Sequence, residues 1–278
     1  MSSFIHSRED WWGGLTEKLW PRDRPSVAFL DGPVPKAERE FVIHGWRWHT
    51  MSVLRDLDRL ELLLCDVLSR QQEALRDFAS SRCTLERITA GHDFTCNFNM
   101  RALQRVEEDI FVPLLVRILP AEAMSDLHEF REHHKLARRL AGKDIGVNAA
   151  ATAAALTDVR RQQVASTIRR IERLVAQIRG SVRRTHSVQQ GVFDPCIAAH
   201  LSVKEQWVYN NKVISVLGLI DAQVHLVSFH EAIASNPAEF RLYKSQIPRI
   251  AQALIPVWKS SLYLPRTRCF SLTKSREC

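Results

Sequence analysis

From Lys36 to about Ser80 the apolar positions 53, 57, 60, 64 and 67/68 recur at steps of three and four, and His49 falls on the same line. That spacing places them on one face of a helix. A second helical pattern runs from about Leu85 to Ile118 through Leu103, Val106, Ile110 and Leu114, with Pro113 predicted to kink or shorten its last turns. Pro120 opens a third, carrying Glu122 and Asp126 early and running to Leu140. A fourth runs from Ala149 to about Val188. GVFDP at 191–195 predicts a break, after which Asp194 caps and Pro195 starts a helix reaching about Leu217. Shorter helices follow near 220–234, 237–244 and 247–263. No segment alternates long enough for a sheet, so the pattern predicts an all-α chain of antiparallel helices. Residues 1–35 hold four Pro, three Gly, Trp11, Trp12, Trp20 and Phe29, which predicts an extended arm pinned by its aromatics. The predicted organisation is the arm at 1–35, a bundle at 36–218 and a helical extension at 219–278 packed on it.

Composition changes this picture little. Of 278 residues, 45% are hydrophobic and 25% charged, and the net charge of +8 comes from 39 cations against 31 anions. These values exclude a disordered chain. The mixed charge is compatible with an acidic protein or anionic surface and carries no specific nucleic-acid signature. No run of about 18 apolar residues predicts a transmembrane helix. No secretory leader or prenylation box is visible, and six cysteines without a CxxC pair do not resemble a disulfide framework. Cys65 and Cys196 read as small buried hydrophobes, and a cytoplasmic or nuclear setting is the expectation. No phosphate-binding glycine loop or nucleophile elbow occurs, so an enzyme is not the expected class.

The chemistry lies in polar residues on apolar faces. His49 accompanies Val53, Leu57, Leu60 and Leu64. Glu107 accompanies Leu103, Ile110 and Leu114. His133 accompanies Phe130, Leu136, Ala137 and Leu140, with His134 turned about 100° away, and His200 lies near Ile197, Val203 and Trp207. A buried carboxylate needs a compensating cation. Carboxylates and imidazoles converging from bundle helices can supply one by binding a metal. His225 and His230 read as structural, and Trp46 and Trp48 as filling the bundle end.

The order HGWRWHTMSVLRDLDRLE, QRVEEDIFVPLL, REHHKL and FDPCIAAHLSVKEQWV resembles the hemerythrin-like (HHE cation-binding) family across roughly 36–266. The resemblance implies a four-helix up-and-down bundle binding non-haem iron, in an oxygen-related role, with His49, Glu107, His133 and His200 as ligands. Zinc in a reduced mononuclear site, or no metal, are the alternatives. The pattern departs at Leu103, where the family has His, and at Lys204, where it has Glu; Glu205, one step on, is the substitute ligand. Lys204 would repel a divalent cation, and a Lys204–Glu107 ion pair is then expected in the metal's place. The other reading is a metal-free bundle that docks an acidic partner through an Arg-rich helix bearing Arg160, Arg161, Arg169, Arg170 and Arg173.

Overall fold

A computed structural model describes residues 41–142 and 158–271. The arm at 1–35, the start of the fourth helix and the side chains of Arg160 and Arg161 lie outside the described residues. Among those described the chain is all-α with no strand. Helix α1 is His44–Ser69, followed by a single turn, Gln71–Ala74. Helix α2 spans 78–118, α3 is Met124–Ala141, and α4 spans 158–200. Then come α5 (Val203–Leu217), α6 (Leu219–Ile233), α7 (Pro237–Gln246) and α8 at 249–267.

Two expected interruptions are absent, for one physical reason. A proline inside a helix lacks an N–H, and its ring collides with the carbonyl four residues back. Ahead of Pro113 the chain takes a wide π turn, Glu107–Phe111, in which Val112 donates to the Glu107 carbonyl five residues back. The extra residue makes room for the ring, so α2 continues to Ile118. The same device precedes Pro195, where Asp194 donates to the Gln189 carbonyl, and Pro265, where Leu264 donates to that of Lys259. Asp194 is therefore inside α4 with helical backbone angles, and neither caps nor starts a helix. The true starts carry caps: Asp77 accepts from the Ser80 N–H, Asn236 caps α7, and Ser202 with Glu205 forms a capping box on α5. Gly218, at φ +76°, turns the chain between α5 and α6, a left-handed conformation that suits glycine.

Helix α1 packs against α2 and α4, and α3 packs against α2 and α4, so the four rods close a ring. Helix α6 covers a further side of α1. This explains why α1 is buried on two faces: Val53, Leu57, Leu60 and Leu64 are fully buried, and so are Trp46, Thr50, Ser52 and Asp56. Each such leucine contributes roughly 1.5–3 kcal/mol on burial. No single described helix is long and apolar enough to cross a membrane. Cys65 is exposed and Cys196 half-buried, contrary to the buried setting expected of them, because both lie on rims of their helices.

Candidate functional site

The buried carboxylate is where the pattern placed it. Glu107 is 3% exposed at the start of the π turn of α2. Its partners differ from those expected. Trp46 Nε1 donates to Glu107 Oε1 at 3.1 Å, and His134 Nε2 lies 3.2 Å from Oε2. The ring N–H of His134 does not aim at that oxygen within hydrogen-bond geometry, so this contact is a charge pair. Burial pulls the His134 pKa down, but the contact with Glu107 and the charges of Glu107 and Glu108 outweigh it, and the net shift is upward. Trp46 stacks on Phe111 at 4.0 Å, while Phe130 stacks beside His134 at 6.2 Å. From α4 the groups nearby are neutral. Thr185 lines a cavity of about 10 Å³ together with Leu103, Gln104, Glu107, His133 and His134, room for roughly one water. Gln189 is held by Thr50 Oγ1 at 3.4 Å, and its own Nε2 is buried without a partner.

Of the remaining expected ligands only His133 lines the same cavity. It is half-buried, its Nε2 3.5 Å from Glu129 and its Nδ1 buried without a hydrogen-bond partner. The inward line of α3 is Leu127, Phe130, His134, Ala137 and Ala141, and Phe130 and Ala137 border both histidines. His49 is fully buried, but it faces the α6 side. Its Nε2 donates to the Asn99 carbonyl at 3.2 Å, and its ring lies 4.9 Å from that of His225. Burial holds its pKa down at about 3. His200 is exposed at the end of α4, its Nδ1 2.9 Å from the Cys196 carbonyl oxygen. Eleven residues separate it from Gln189 along the rod, roughly 15 Å. Glu205 is spent on its capping box, accepting from the Ser202 N–H at 2.8 Å. Lys204 is exposed on the first turn of α5, away from Glu107, so the expected Lys204–Glu107 pair is replaced by His134–Glu107. Among the described residues no three His, Cys, Asp or Glu side chains are grouped to hold a metal ion.

A second polar cluster, missed from the sequence, ties α6 and α8 to the bundle. Asp56 is fully buried and takes Arg55 Nη2 at 2.7 Å, Arg59 at 3.4 Å and Asn99 Nδ2 at 2.8 Å. Arg55 in turn donates to the Ser228 carbonyl at 3.1 Å and to the Tyr263 hydroxyl. The signal was legible: Asp56 stands four residues from Ser52 and three from Arg59, on a helix otherwise rich in leucine.

Asp194 adds a titrating group one turn beyond Gln189. Burial pushes its carboxyl up to about 7, with Arg47 pulling the other way. The folded chain thus binds this proton more tightly than the unfolded one, so stability falls as pH rises from about 4 through about 7. Asp194→Asn is expected to raise stability at pH 8 by roughly 2–4 kcal/mol and to leave it unchanged near pH 4. Urea unfolding at both pH values checks this.

Compared with family models, with curated proteins and with solved structures, the chain matches none.

Proposed function

We propose that the ring formed by α1 to α4 is a hemerythrin-like four-helix up-and-down bundle in which a Trp46–Glu107–His134 unit occupies the central position, and that the chain works as a protein-binding scaffold. Iron does not fit the residues present. The cavity is lined by one carboxylate and two imidazoles; His134 is paired with Glu107, His133 leans to Glu129, and the three are not grouped to hold a metal ion. Leu103, Thr50, Thr185 and Gln189 are neutral and poor iron ligands, and His186, on the same helix as Gln189, sets its Nδ1 3.5 Å from the Gln189 side-chain oxygen. Zinc meets the same obstacle, since a stable site needs three or four convergent protein donors and the donors here do not converge.

The observation that carries the scaffold reading is the division of arginines along α4. Arg179 pairs with Asp58 and Glu61, and Arg183 with Asp58. Earlier on the helix Arg169 and Arg173 are exposed. Among the described residues Arg169 reaches the Gln71 side-chain oxygen at 3.5 Å and Arg173 the Arg169 carbonyl, neither of them a carboxylate. This end of α4 thus presents guanidinium forks suited to the carboxylates of an acidic protein.

The test uses a labelled poly-glutamate peptide and fluorescence anisotropy. Arg169→Glu/Arg173→Glu is expected to weaken binding at least ~10-fold, equivalent to about 1.4 kcal/mol. Added salt should weaken wild-type binding, and Arg184→Glu, at the far end, should change it less than about twofold. Wild-type protein that ignores the peptide, or a double variant that binds as well as wild type, defeats the reading.

A further inference from the structure

Helix α8 carries apolar residues on its inward side and on one flank, roughly 100–120° apart. Inward it buries Ala251, Ile255 and Trp258. On one flank, seven residues apart, it carries Ile250 and Val257, which are 59% and 55% exposed; the π turn Lys259–Tyr263 rotates the chain beyond it, so Leu264, 48% exposed, stands on a different flank. Exposed Ala253 and Pro256 and half-buried Leu254 lie between Ile250 and Val257 in the chain. Large apolar side chains on a helix flank are ordinarily covered, and among the described residues nothing covers Ile250 and Val257. Leu242, on the preceding helix, is exposed as well.

The charge around this face is one-sided. Arg241, Lys244, Arg249 and Arg268 are exposed, and none pairs with a carboxylate among the described residues; Lys244 lies over the Phe240 ring at 4.5 Å. The acids in this part of the chain are already engaged: Asp221 by Arg266, Glu231 by Lys259 and His230, and Glu239 by Arg47. A second copy is a poor cover. A two-fold contact sets a face against itself, and this one would bring cations against cations with no acid to offset them. The missing cover is negative and spans two projecting side chains roughly 10 Å apart along the helix.

We propose that α8 is a membrane-surface contact for anionic lipid. The helix lies along the headgroups, Ile250 and Val257 enter the acyl boundary, and Arg241, Lys244, Arg249 and Arg268 sit among the phosphates. An apolar stripe flanked by cations is the physical requirement for that mode of binding.

Co-sedimentation of the full chain with vesicles of phosphatidylcholine alone, and with about one third phosphatidylserine, tests it. Binding to the serine-containing vesicles should exceed that to neutral ones by at least ~10-fold and fall with salt. Val257→Asp and, separately, Arg249→Glu/Arg268→Glu should each reduce it by ~10-fold or more while circular dichroism stays unchanged. All three positions are exposed, so folding is not at stake. Equal binding to both vesicle types, or none, overturns the proposal. So does a dimer in sedimentation velocity that Val257→Asp dissociates, which assigns the face to a second copy. So does binding of the poly-glutamate peptide that Arg249→Glu/Arg268→Glu abolishes in the absence of vesicle binding, which assigns it to an acidic polypeptide.

Discussion

Replacing His134 by leucine is expected to lower stability by roughly 3–5 kcal/mol, because it leaves Glu107 as an unpaired charge in the core. The carboxylate keeps the Trp46 N–H at 3.1 Å, but one neutral donor does not replace a cation. Leucine approximates the shape of the imidazole, so little of the loss comes from packing. The double variant His134→Leu/Glu107→Leu should recover most of the loss, since removing both charges of a buried pair is often neutral. The pair also sets a pH dependence. The His134 pKa lies above its ordinary value despite burial, because the contact with Glu107 and its charge outweigh desolvation. Its contribution is therefore complete below about pH 6.5 and disappears as pH rises through the raised value. Urea unfolding between pH 5.5 and 9 should show wild type losing stability relative to the double variant on the alkaline side. A single His134→Leu variant as stable as wild type would show that the pair is not a charge pair.

The second large effect is expected at Asp56. Asp56→Ala removes the acceptor shared by Arg55, Arg59 and Asn99 and leaves Arg55 with hydroxyl and carbonyl partners alone. A loss of roughly 3–5 kcal/mol is expected. It should be accompanied by loosening of α6 and α8, since Arg55 is the link to Ser228 and Tyr263. Amide exchange is the measurement: protection should fall first around Ser228 and Tyr263 and last in α3, which lies outside this network. Uniform loss across the chain would mean that the network does not fasten the C-terminal helices. Asn99→Ala, which removes a neutral donor, should cost about 1–3 kcal/mol.

These two clusters also show what the sequence could and could not convey. The helices were legible because the apolar steps of three and four are regular, and Glu107 was legible because it shares the line of Leu103, Ile110 and Leu114. His49 was read correctly as buried, yet its partner was not. Helix α1 is covered on one side by α4 and on another by α6, and periodicity alone does not tell which buried face meets which helix. On α3 the adjacent histidines share Phe130 and Ala137 as neighbours, so a rotation of about 100° decided between them, and the packing chose His134. The prolines at 113 and 195 suggested ends because a π turn leaves no composition signature. The stretch Ser202–Glu205 did announce itself as a capping box, S-x-x-E. That pattern explains why Glu205 is tied to a helix start and why Lys204 points to solvent.

The central claim is that Glu107 is balanced by His134 and not by a metal ion. Elemental analysis after equilibration of the purified chain with iron(II) and with zinc, followed by desalting, tests it most directly. The account predicts well under one equivalent of either metal and the same small content in Glu107→Gln. One equivalent retained by wild type and lost in both Glu107→Gln and His134→Leu would contradict it.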